Sequence, residues 1–161
     1  MSVRASIDGA VAFIVFRSHL RLSALICGLL VSSHAFAVEV TVKDAWVRGT
    51  VPAQRSTGAF ATLTSSEDAK LVGAKSPVAK IVEVHESMMH GGMAHMQAVD
   101  SVPLPAGKPV RLGDGGYHVM LMDLVKPVKA GEKVPITFIV EDRKGKRTNV
   151  EAEALVRPLG Q

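Results

Sequence analysis

From residue 38 onward the chain is a succession of short segments that alternate apolar and polar residues, and a helical period is nowhere sustained. Strict alternation sends successive side chains to opposite faces of an extended backbone, so it specifies half-buried strands. The candidate strands are 38–42, 45–48, 58–64, 80–85, 93–99, 109–112, 117–124, 134–140 and 149–156. Breakers separate them: Val51-Pro52, Ser76-Pro77, Pro103-Leu104-Pro105 and Gly113-Asp114-Gly115-Gly116. Short strands with turn signals at this spacing predict a single all-β domain, a sandwich or barrel.

The first 37 residues are of another kind. Two apolar stretches, Ala10 to Phe16 and Leu22 to Val31, both fall short of the roughly 20 residues that a membrane-spanning helix needs. Arg17 and Arg21 precede the second stretch, and Ala35-Phe36-Ala37 follows it. A basic flank, a short apolar run and an A-x-A ending make a secretory signal peptide, with cleavage expected after Ala37. Residues 1–16 fit that signal poorly and read as the product of a start codon set too early. The expected division is therefore a signal over 1–37 and one domain over 38–161, exported and without stable membrane insertion.

Cys27, the one cysteine of the chain, lies inside the signal, and Ala24-Leu25-Ile26 before it does not form a lipoprotein cleavage box. The domain from Val38 thus has no thiol. That excludes a disulfide framework, a thiolate nucleophile and the cysteine-ligated blue-copper site. Removing three arginines and Asp8 with the signal leaves a net charge of about +2. The remaining bases are scattered apart from Arg143-Lys144-Gly145-Lys146-Arg147, which reads as a solvated turn. Nucleic-acid binding would need a wider basic face with aromatics, and none is expected.

Histidine and methionine are placed unevenly. In the exported part, His85, His90, His95 and His118 and all six methionines (Met88, Met89, Met93, Met96, Met120, Met122) fall between positions 85 and 122, under a third of its length. Methionine often fills cores, but parity argues otherwise in segment 117–124. Tyr117, Val119 and Leu121 share what should be the core face, which leaves His118, Met120 and Met122 on a face expected to be wet. His118 and Met120, two apart with parallel side chains, can converge on one ion. A second pair must come from neighbouring strands, and a hairpin turning at Gly91-Gly92 would bring His85, ending one strand, close to Met96 on the next. By the same parity His95 points away from Met96. Met122 reads as a neighbour of the site, and Trp46 as either a shield or a core anchor. Neutral thioether sulfur favours Cu(I), with zinc second because its sites more usually take Cys, His or carboxylates.

These residues resemble the periplasmic copper chaperones of the PCuAC family. His85, ten residues, Met96, twenty-one residues and His118-Val119-Met120 match that family's ligand spacing. Asp44-Ala45-Trp46-Val47-Arg48, Thr57-Gly58-Ala59-Phe60 and Gly115-Gly116-Tyr117-His118-Val119-Met120-Leu121-Met122 match its surroundings. The resemblance implies a cupredoxin-like β-sandwich binding Cu(I) near its surface through His85, Met96, His118 and Met120. It also implies a periplasmic carrier, not an enzyme. Such a carrier delivers copper towards the dinuclear copper centre of cytochrome c oxidase, directly or with a Sco-type protein. Copper sequestration without delivery is the alternative.

Overall fold

A computed structural model describes residues 38–159. The expected signal over 1–37 lies outside the described residues. Those described form ten strands: β1 (Val40–Arg48), β2 (Ser56–Ser65), β3 (Ala69–Lys75), β4 (Ala79–His90), β5 (Met93–Ala98), β6 (Val102–Leu104), β7 (Pro109–Leu112), β8 (Tyr117–Leu124), β9 (Lys133–Asp142) and β10 (Arg147–Arg157). No helix occurs among them, as the alternation requires.

The strands follow the order β5-β4-β8-β2-β1-β10-β9-β3-β6, with β7 paired to β2. Neighbours are antiparallel except β1 and β10, which run parallel and join the two halves of the order. The ladder curls round one core. Val84, Val119 and Leu121 from one half and Leu71, Ile136 and Phe138 from the other belong to a single buried cluster. Strand β9 displays the period plainly: Val134, Ile136, Phe138 and Val140 are buried, Pro135 between them is exposed, and Thr137 and Ile139 are half-buried. Each large apolar side chain so buried contributes about 1.5–3 kcal/mol.

Several strand limits differ from the sequence expectation by a few residues, and three differences are larger. Segments 38–42 and 45–48 are one strand, because Asp44 takes a left-handed φ of 52° and makes a bulge between Lys43 and Trp46 without ending the pairing. Strands β3 and β6 add to the expected set. Strand β4 runs five residues past His85 to His90, so His85 lies within a strand and not at its end. Strands β4 and β5 then turn through Gly91 and Gly92, both at positive φ (59° and 80°), which is the backbone that a two-residue type I′ hairpin demands. The register from His85↔Ala98 to His90↔Met93 is unbroken.

Candidate metal centre

Register places the four expected ligands on one face. His85 of β4 stands directly opposite His118 of β8, and Glu83 stands opposite Met120. On the other side of β4, Ser87 is opposite Met96 of β5. Directly opposed residues of an antiparallel pair share a face, and alternation keeps His118 with Met120 and His85 with Glu83 and Ser87. Met96 is consequently a diagonal neighbour of His85, about 7–8 Å away across the ladder. Beyond β8, Met120 is opposite Gly58 of β2. His95, opposite Met88, lies on the reverse face, because no bulge interrupts the hairpin.

The two imidazoles face each other with ring centroids 6.1 Å apart and a 50° tilt. Two nitrogen–metal bonds of about 2.0–2.1 Å span ~4 Å, so one ion between facing ring nitrogens fits that separation. Hydrogen bonds assign the free nitrogens. His118 Nδ1 lies 3.2 Å from the Gly116 carbonyl, which can only accept, so Nδ1 carries the proton and Nε2 is free. His85 Nε2 lies 3.0 Å from Glu83 Oε2, and an ionised carboxylate likewise only accepts. Its Nδ1 is then the nitrogen left free. Both hydrogen bonds are of the kind that fixes the tautomer and orientation of an imidazole.

Parity holds at His118, but wetness does not: it is only 6% exposed. The Phe60 ring stacks beside it (centroids 6.3 Å, 28°) and His85 covers the other side. Phe60 in turn stacks on Trp46 at 4.2 Å, and the Arg157 guanidinium lies over Trp46. Trp46 is neither shield nor core anchor. It buttresses the ring that packs on His118. At the opposite extreme Met96 is 63% exposed. Met120 and Met122 are half-buried on the same face. A cavity of about 340 Å³ opens here, lined by Met96, His118 and Met120 together with Phe60, Arg48 and Asp114. Arg48 and Asp114 form an ion pair of 2.8 Å at its wall. His85 and Met122 stand outside that lining.

Glu83 and Phe60 were not singled out for a role from the sequence. Glu83 is two residues before His85, so strand parity alone puts its carboxylate beside the imidazole. Phe60 is two after Gly58, and a Cβ on Gly58 would stand 2.8 Å from the Phe60 ring. The glycine is what lets that ring lie down.

The donor set limits the occupant. Among the described residues no three or more His, Cys, Asp or Glu side chains converge as a metal cage. The further donors that share the face with the two imidazoles are the thioethers of Met96 and Met120, which hard and strongly hydrated cations bind poorly.

Fold and donor set together define a cysteine-free, cupredoxin-like β domain with an imidazole–thioether face. The chain belongs to the LpqE-like family, of the PCuAC type: the family model described as "Putative lipoprotein LpqE-like" matches residues 40–153. It is 37% identical over 106 residues to the "Putative lipoprotein Lxx21020" of Leifsonia xyli subsp. xyli, an alignment covering 64% of this chain and 63% of that relative's length. Among solved structures it is similar to the Cu(I)-bound form of DR1885 from Deinococcus radiodurans in solution (38% identity, 79% of this chain and 84% of that one, TM-score 0.57). The copper-bound PCuAC domain of PmoF2 shares the fold, at 22% identity, with 76% and 97% coverage and a TM-score of 0.60. The cupredoxin-like fold that the resemblance implied is therefore the fold of this chain.

Proposed function

We propose that this protein is an exported Cu(I) carrier. It holds the ion through His85 Nδ1, His118 Nε2 and the sulfurs of Met96 and Met120, and it performs no reaction on a substrate. One observation carries this reading: two histidines and two methionines from three adjacent strands share one face. The solved Cu(I) form of DR1885, at 38% identity, supports the choice of ion. Two thioethers stabilise the reduced state, and the absence of cysteine in the exported part leaves no thiol to be lost to disulfides.

The recipient is the dinuclear copper centre of cytochrome c oxidase, reached directly or through a Sco-type protein. Release by ligand exchange suits the asymmetry of the site, in which Met96 is exposed while His118 is buried. A partner's ligand can displace the thioether of Met96 first. The lipoprotein description of the family and of its relative supports export. In this chain Ile26 before Cys27 is too large for a lipoprotein cleavage box, so the carrier is released by cleavage after Ala37, into the periplasm.

Anaerobic competition of residues 38–161 against a Cu(I) chelator tests the site. The expected result is tight binding in the wild type, lost or much weakened in His118→Ala and in Met120→Ala. Wild-type affinity in both variants would overturn the assignment. Delivery is read separately, by mixing the loaded protein with an apo oxidase copper domain. Transfer supports a chaperone, whereas retention of the ion supports sequestration.

A further inference from the structure

We infer that the outer half of the β4–β5 hairpin holds a second, weaker site for a soft monovalent cation. Its ligands are Met88, Met93 and His95, on the face opposite the four-residue centre. Met88 stands directly opposite His95, and Met93 is two residues before His95 on the same strand. Alternation therefore puts all three on one face, with the Met88–His95 Cβ atoms about 4.5–5.5 Å apart. The turn sets this placement through the register of the hairpin. With Gly91 and Gly92 both at positive φ, two residues close the hairpin and leave no slack in the register.

Packing does not account for these residues. Their face is the core face of β4, but it leaves the core as the hairpin extends: Val84 is 4% exposed, Glu86 half-buried and Met88 44% exposed. Met93 is 65% exposed and His95 is exposed. Two thioethers and an imidazole standing in solvent gain little from burial. They are free to meet on one ion, and two sulfurs with one nitrogen are a donor set for Cu(I) or Ag(I).

Charge points the same way. No lysine or arginine occurs from Ile81 to Gly107, although the exported part is net basic, and the segment carries Glu83, Glu86 and Asp100. Glu86 lies on the same face as Met88 and opposite Gln97. A cation approaching this hairpin meets no basic neighbour within the segment. Since alternate residues of one hairpin face opposite ways, the two sites share no ligand. This second site does not depend on the four-ligand reading.

The test is an anaerobic Ag(I) titration of residues 38–161 carrying ¹³C-methyl methionine, followed by NMR, in three proteins. The wild type should bind two equivalents, the first shifting the Met96 and Met120 methyls and the second those of Met88 and Met93. Met88→Ala/His95→Gln should lose the second equivalent and keep the first. His118→Ala/Met120→Ala should lose the tight equivalent and keep the Met93 shift. Saturation of the wild type at one equivalent, or a second equivalent that survives in Met88→Ala/His95→Gln, would overturn the second site. A tight equivalent surviving in His118→Ala/Met120→Ala would instead count against the four-ligand centre alone.

Discussion

At the scale of single residues the imidazoles are held by different means, and this decides how each responds to change. His118 is fixed by a backbone carbonyl and an aromatic ring, neither of which titrates. His85 is fixed by the Glu83 carboxylate, itself 46% exposed. Removing that carboxylate frees the His85 ring to turn and withdraws a negative charge beside the bound cation. Loss of such an outer partner typically lowers metal affinity about 10–100-fold. Glu83→Ala should therefore weaken Cu(I) binding by about that factor, read by chelator competition, with thermal stability of the apo protein nearly unchanged. Glu83→Gln, whose amide oxygen still accepts from Nε2–H, should recover part of the loss. Equal losses in the two variants would mean that charge, not orientation, is what Glu83 supplies. That His118 and Met120 share a face, and that the hairpin brings Met96 near His85, was legible from parity and the Gly91-Gly92 turn. The roles of Glu83 and Phe60 were legible only in part, because parity brings residues to a face without saying which neighbours touch.

Among the elements, legibility followed local signals. Strands β7 and β8 have the limits read from the sequence, since alternation in each ends at a clear breaker. Strand β3 escaped because a bulge between Leu71 and Gly73 breaks its period and Lys70 and Lys75 flank its short apolar run. Strand β6 escaped because it is three residues with Pro103 in the middle, tolerated only because β6 ends the strand order and needs no donor there. A clamp between elements was equally hidden. Asp123, at a left-handed φ of 52° in β8, accepts from Arg55, just ahead of β2, and from Lys80 of β4 at 3.0 Å. It therefore ties β8 to β4 and to the start of β2. Hydrogen bonds from Arg55 and then Lys80 hold its carboxyl below the ordinary value of 3.8. The backbone N–H of Ala106 and the Arg143 guanidinium do the same for Asp68. A carboxyl whose pKa is lower folded than unfolded stabilises the fold above the unfolded value, and that contribution is lost as pH falls through the folded one. Melting temperature should hold steady down to about pH 4 and drop below it. Asp123→Asn and Asp68→Asn should each flatten that acid limb, measured by circular dichroism from pH 2 to pH 7.

For the molecule as a whole, alternation predicted an all-β sandwich or barrel but not how its halves join. The parallel pairing of β1 with β10 joins residues over a hundred positions apart, Trp46 with Leu155 and Arg48 with Arg157, and no local pattern encodes such a partner. The strand order also sets the candidate site apart from much of the core. The imidazole–thioether face lies on β4, β5 and β8, whereas Phe138 is buried on β9, paired with β3 and β10. Phe138→Ala should cost about 3–5 kcal/mol through lost burial and the cavity left behind. Binding to the native state alone adds RT ln(1 + [L]/Kd), about 2.7 kcal/mol at a hundredfold excess over Kd. At about 4 °C per kcal/mol for a domain of this size, Cu(I) should raise the melting temperature by ~10 °C. Sites without shared neighbours contribute additively. The increment on loading should therefore be the same in Phe138→Ala as in the wild type, although the variant starts from a much lower melting temperature. Anaerobic calorimetry with and without Cu(I) reads both numbers. A reduced increment in Phe138→Ala would mean that the core and the metal face form one cooperative unit, and that the carrier's grip on copper is set by packing across the whole sandwich.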